Sequence, residues 1–306
     1  MNRRHALALL SATAVPSFAA EVKGRLGSQV ATNSYPWLTF AKRAGEKFVA
    51  HSEELIASIA ATGITGYEPI VGGPGEFAEM APHLKKHRLW LKSIYVNSTL
   101  HEEGAIEKSQ TKVLEIARAG KALGLKIVVT NPSPIKWGGK EEKSDAQLKR
   151  QAGALDELGE ALADEGMQLA YHNHDAELKS GAREFHHILT ATSPEKVKFC
   201  LDAHWIFRGC GNSEVAVFDA LSHYHERVVE LHLRQSTGGG GSGRRLLRWR
   251  VISITSASFP IWNRRELSRI LFWNRRWRVA RRRRWMPSKP IPRAERGFLK
   301  AKMPLV

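Results

Sequence analysis

The chain has 306 residues and a mass of 34.2 kDa, with 42% hydrophobic and 25% charged residues. That composition excludes a mostly disordered chain, a collagen-like chain and a multi-span membrane protein. The net charge of +17 sits at one end: residues 237–306 carry sixteen Arg and three Lys against only Glu266 and Glu295, and residues 1–236 are neutral. Two cysteines, Cys200 and Cys210, are too few for a disulfide framework or a Cys-only zinc site.

Residues 1–20 read as an export signal. Arg3 and Arg4 precede an apolar run from Ala6 to a small-residue end at Ser17-Phe18-Ala19-Ala20. The run is shorter than the roughly 20 apolar residues a spanning helix needs, so no transmembrane span is expected in the mature chain. The arginine pair resembles a twin-arginine (Tat) signal, which implies a periplasmic or extracellular protein.

Residues 21–236 alternate between short apolar runs and helical patterns. Strands are expected near Gln29–Thr32 and over Ile64–Pro69, Leu89–Val96, Leu125–Thr130, Met167–His172, Val197–Asp202 and Val228–Leu233. Helices are expected over Ser52–Thr62, Glu107–Leu123, Ser144–Glu165 and Ser213–His225. Gly63, Gly124 and Gly166 stand at the helix-to-strand junctions, where glycine supplies a left-handed cap. Strands separated by helices of this length pair in parallel. The expected fold is a (β/α)8 TIM barrel, incomplete at the eighth βα unit. An open doubly wound sheet is the alternative, but no Gly-rich phosphate loop follows the first strand.

The carboxyl ends of these strands are polar, and in a parallel barrel that is where the active site lies. The second strand ends at Glu68. The fifth ends in His172-Asn173-His174-Asp175, the sixth in Asp202-Ala203-His204-Trp205 and the seventh in Glu230-Leu231-His232-Leu233-Arg234. Residues two apart on a strand share a face, so His172 with His174, Asp202 with His204, and His232 with Arg234 point toward one region. Neutral imidazole and carboxylate are the donors a divalent ion takes. Cys200, inside the sixth strand, reads as a small buried apolar group. His83 and His87 read as a solvated helix end.

The strings Tyr171-His172-Asn173-His174-Asp175-Ala176-Glu177, Leu201-Asp202-Ala203-His204-Trp205 and Glu230-Leu231-His232-Leu233-Arg234, with Gly63-Ile64-Thr65-Gly66-Tyr67-Glu68, resemble the sugar phosphate isomerase/epimerase family of xylose-isomerase-like TIM barrels. The resemblance covers roughly residues 28–236. It implies a divalent metal, manganese, zinc, cobalt or magnesium, held from strands five to eight. Asp202 and His232 match the family's ligand positions directly. The strand-five position falls on His172, where many members carry Glu. The resemblance implies a metal set of His172, Asp202 and His232. It implies proton transfer next to a sugar carbonyl through an enediolate, with Glu68, His172 or His174 as catalytic groups and Arg208, Arg234 and Trp205 against a small sugar substrate. The same layout supports dehydration or elimination on a keto-sugar.

After Ser236 the pattern breaks. A run from Gly238 to Gly241 leads into Arg-rich text holding five of the nine tryptophans and no Asp, and no strand-plus-helix unit is apparent where the eighth should lie. Residues 237–306 read as disordered or as translation of a shifted frame. An Arg/Trp-rich arm on nucleic acid and a basic amphipathic segment lying on lipid are the competing readings, and the abrupt break inside an expected barrel unit favours the shifted frame over both.

Overall fold

A computed structural model describes residues 30–234 and, as backbone, the strand Ile252–Thr255. Seven strands follow one another: β1 Val30–Asn33, β2 Gly66–Glu68, β3 Ser93–Tyr95, β4 Ile127–Thr130, β5 Gln168–His172, β6 Val197–Asp202 and β7 Val228–Leu233. They alternate with α1 Tyr35–Ala44, α2 Glu53–Ala60, α3 Glu76–His87, α4 Glu103–Gly120, α5 Asp145–Asp164, α6 Lys179–Ala191, α7 Ala203–Gly209 and α8 Glu214–Tyr224. The strand β8, Ile252–Thr255, lies between β1 and β7.

Helix starts follow local chemistry. The Ser144 hydroxyl accepts from Gln147 N while the Gln147 side chain accepts from Ser144 N, a reciprocal cap on α5. Ser52 and Ser213 cap α2 and α8 in the simpler way. At Gly124 and Gly166 φ is 87° and 75°, so the chain turns from helix into strand where a side chain would be strained.

The neighbours β1–β2 and β3 through β7 pair in parallel. Parallel bridges Gly66–Trp90 and Ile70–Tyr95 join the β2 and β3 segments, which curls the sheet round on itself. The eighth position differs in kind. β8 runs antiparallel to both β1 and β7, unlike the parallel strand that an eighth βα unit would supply. The barrel is therefore incomplete as expected, and the place of the missing unit is taken by a strand from the expected tail. The rest of 237–306 and the export signal at 1–20 lie outside the described residues. No helix among the described residues is long and apolar enough to cross a membrane.

The pleat sorts side chains into two cores. Val128, Leu169, Tyr171, Phe199, Leu201 and Leu231 face the helices, with Tyr171 stacked on Phe199 at 5.8 Å and against Phe185 of α6. Ile127, Val129, Ala170 and Cys200 fill the inside of the ring together with Tyr95. Because Tyr171 is buried outward, its neighbour His172 must point inward, and the same alternation turns Asp202 and His232 into the barrel.

Candidate functional site

At the carboxyl ends of β2, β5, β6 and β7, four polar side chains meet in the barrel interior. Glu68, His172, Asp202 and His232 are 0%, 3%, 5% and 4% exposed. His172 Nε2 is 3.4 Å from Asp202 Oδ2, and His232 Nδ1 is 4.0 Å from the same oxygen. His232 Nε2 is 3.0 Å from Glu68 Oε2. The rings of His172 and His232 are 4.7 Å apart.

Local structure divides the labour of Asp202. Its Oδ1 accepts from Trp205 N at 2.9 Å and so caps α7, while Oδ2 remains to face the imidazoles. Beyond the last ladder bonds, Asn173 continues the β5–β6 pairing by side chain: it accepts from Asp202 N at 2.9 Å and donates to Asp202 O at 3.2 Å. Asn131 does the same from β4, donating to His172 O at 2.9 Å and to Glu177 Oε1 at 3.0 Å. Glu177 Oε2 accepts from His174 N at 2.5 Å.

The electrostatics follow from burial and these partners. Burial alone raises the Asp202 carboxyl, but the hydrogen bond and charge of His172, His232 and Trp205 N hold it well below the usual carboxylate range. Burial lowers His172, against the pull of Asp202. Burial and the neighbouring His172 lower His174 far below the usual imidazole range, so it is neutral. For His232, burial is outweighed by the groups around it, Cys200 and Glu68 first, and its pKa is raised. Burial and nearby Glu184 push Glu177 up to about 8.

The expected residues are brought together unequally. His174 lies between two indoles at the mouth, 5.0 Å from the Trp137 ring and 5.3 Å from that of Trp205. The Arg234 guanidinium lies 4.8 Å over Trp205 and meets His204 Nε2. Arg208 is exposed on α7, donates to Asn212 at 2.9 Å, and lies near enough to His204 and Arg234 for its charge to lower both their pKa values. Glu68 is in the cluster, held against His232 rather than facing open space. His83 and His87 lie 3.7 Å from Glu53 at the start of α2, away from the cluster.

Sequence reasoning passed over four participants. Glu230 lies 3.4 Å from His232 Nε2, and the strand period alone would have placed it on the same face. Cys200 shares the face of Asp202 and is within metal-ligand reach of His172 and His232, so it is more than apolar filling. Glu177 was visible in the strand-five string. Trp137 comes from the loop after β4 and carried no signal.

The donor set fits a divalent ion. Two groups sharing His232, namely His172, Cys200 and His232, and Glu68, Glu230 and His232, each bring their ligand atoms within 4.8 Å of one another. Asp202 Oδ2 adds a carboxylate oxygen 3.4 Å from His172 Nε2 and 4.0 Å from His232 Nδ1. Residues 43–267 match the family of xylose isomerase-like TIM barrels. The chain belongs to that family. An inosose dehydratase of Clostridium botulinum (strain Alaska E43 / Type E3) is 23% identical over 193 residues, covering 60% of this chain and 62% of that protein. An inosose dehydratase of Lacticaseibacillus casei is 24% identical over 162 residues, 50% of this chain and 51% of that protein. The chain thus spans less than two thirds of the length of these curated relatives. Among solved structures, a sugar phosphate isomerase/epimerase from Parabacteroides distasonis ATCC 8503 superposes with a TM-score of 0.50 at 16% identity, over 64% of this chain and 71% of that one. The D-allulose 3-epimerase from Methylomonas sp. gives 0.50 at 15% identity, over 66% and 70%. These likenesses establish the fold; family membership extends over enzymes that epimerise or dehydrate.

Proposed function

We propose that this protein is a metal-dependent isomerase or epimerase that moves a proton next to the carbonyl of a small sugar. The observation that carries the reading is the meeting of His172, Asp202 and His232, from three successive strands, around one carboxylate oxygen. These three would hold manganese, zinc, cobalt or magnesium. Such an ion, when bound, supplies positive charge against a developing enediolate.

The chain's own residues supply the rest. His174, neutral at the mouth between Trp137 and Trp205, is the group that takes the substrate proton at Nε2, acting as a weak base because burial disfavours its charged form. Glu68 is committed to His232 and is the weaker candidate for that role. The Trp137 and Trp205 indoles wall the sugar and exclude water, and Arg234, stacked on Trp205, donates to a substrate oxygen. On the export reading of residues 1–20, the substrate is a free sugar or a keto-glycoside rather than a phosphate.

A second reading is dehydration of a keto-sugar or keto-cyclitol, and the inosose dehydratase relatives favour it. It begins with the same proton removal and ends with loss of a neighbouring hydroxyl. The full chain, supplied with each metal in turn, is incubated in D2O with free sugars, sugar phosphates, 3-keto-glycosides and a keto-inositol. Deuterium entering beside the carbonyl, read by NMR, supports the proposal. Inversion at that carbon marks epimerisation, and an enone absorbance marks dehydration. No exchange with any substrate and any metal sinks both readings.

A further inference from the structure

His232 uses its two ring nitrogens differently. Nδ1 faces Asp202, 4.0 Å from Oδ2. Nε2 faces a pair of fully buried carboxylates, 3.0 Å from Glu68 Oε2 and 3.4 Å from Glu230 Oε1. Glu230 precedes His232 by two residues on β7, so it occupies the next layer down inside the barrel. Across the barrel, the Ser93 hydroxyl of β3 donates to Glu230 Oε1 at 3.1 Å, and Ser93 is itself fully buried.

A buried carboxylate is costly unless donors meet it. Here the Ser93 hydroxyl and the His232 ring face them, and neither Glu68 nor Glu230, both fully buried, reaches the open mouth. A ligating imidazole commonly gives its other N–H to a carboxylate, which fixes the tautomer and ring angle and makes the ligating nitrogen more basic. Building on the metal-site reading above, we propose that Glu230 is a positioning residue. Together with Glu68 it holds His232 as the Nε2–H form and turns Nδ1 toward the ion shared with His172 and Asp202. The competing arrangement has Glu68, Glu230 and His232 Nε2 as the ligands themselves, one layer deeper.

The two arrangements differ in which nitrogen bears the proton. Full-length protein labelled with 15N-histidine is loaded with zinc, and two-bond 1H–15N correlations are recorded, the His232 signals being those lost in His232→Gln. Zinc affinity is measured by competition with a chromophoric chelator for the wild type, Glu230→Gln and Ser93→Ala. The wild type is expected to show a proton on Nε2 and zinc on Nδ1. Glu230→Gln is expected to bind zinc roughly 10–100-fold more weakly, the usual cost of losing an orienting partner. Ser93→Ala, which leaves the carboxylate in place but unanchored, shifts affinity the same way by a smaller factor and serves if Glu230→Gln fails to fold. Unchanged affinity in both variants, or zinc on Nε2, overturns the inference while leaving the metal reading intact. A wild type that takes up no zinc overturns the metal reading and this inference with it.

Discussion

His172 Nε2 and Asp202 Oδ2 are 3.4 Å apart on adjacent strands, although the partner of His172 across the ladder is Cys200. The contact is diagonal: Asp202 reaches back across one pleat because its other oxygen is anchored to Trp205 N. Asp202→Asn keeps an oxygen for the cap and removes the charge. Zinc affinity is expected to fall by more than the roughly 100-fold that loss of an orienting partner costs. The pH dependence has a definite sign. A carboxylate held below its unfolded pKa stabilises the fold above that value, about 4, and the stabilisation is lost as pH falls further. The melting temperature of the metal-free wild type should therefore drop below about pH 4 more steeply than that of Asp202→Asn.

His174→Gln separates proton transfer from metal binding. The residue sits between Trp137 and Trp205 and is not in the donor set around Asp202. Turnover is expected to fall roughly 10²–10⁴-fold, the usual contribution of a positioned acid–base group, with metal content by elemental analysis unchanged. Equal loss of metal and activity would move His174 into the ligand shell.

Glu177 predicts the opposite pH slope from Asp202. Its carboxyl is raised to about 8 by burial first and by Glu184 second. A group raised in the fold gives stability that is complete below its unfolded pKa, near 4.3, and lost as pH rises through the folded value. Wild-type stability should decline between about pH 4 and 8 through this group. Glu177→Gln cannot ionise, so the difference between the two melting curves should close as pH rises through that window. A difference independent of pH would show that Glu177 is not protonated in the fold.

How far a reader of the sequence could get depended on whether the signal was periodic or relational. The strands β4 to β7 announce themselves as apolar runs, β4 and β5 with a glycine just before them, and the alternation of Tyr171, His172, Asn173 and His174 already says which histidines share a face. β2 and β3 are only three residues long in the ladder, shorter than their apolar runs, because their flanks join through isolated bridges. β8 was passed over although Val251-Ile252-Ser253-Ile254-Thr255 is a β-branched run, because it stands amid Arg- and Trp-rich text, and its antiparallel direction depends on β1 and β7, not on its own sequence. In the site, residue types at strand ends marked the donors. That Glu68 and Glu230 both attend one nitrogen of His232, and that Trp137 folds over His174, depends on distances across the barrel that no local spacing encodes.

Trp137 is 52% exposed and touches the site through His174. Surface truncations of this kind usually change stability by no more than about 0.5 kcal/mol. Trp137→Ala is expected to leave the melting temperature nearly unchanged while raising KM several-fold, because an indole face is a good platform for the C–H face of a sugar. An unchanged KM would place the substrate elsewhere on the rim.

A pair of glycines in α5 tests the packing that holds the site's strands in place. A Cβ at Gly159 would lie 2.3 Å from the carbonyl oxygen of Lys196, the residue that leads into β6, whereas a Cβ at Gly153 meets nothing within 4 Å. Both positions are in the helix interior, where alanine is intrinsically better than glycine by up to about 1 kcal/mol. Gly153→Ala should therefore stabilise by roughly that amount. Gly159→Ala should destabilise by about 1–3 kcal/mol, since backbone cannot step aside as a side-chain tip can and α5 must lift from the β6 entry. Chemical denaturation of the two variants checks this: a stabilised Gly159→Ala would mean that α5 does not sit this close to the start of the strand that carries Asp202.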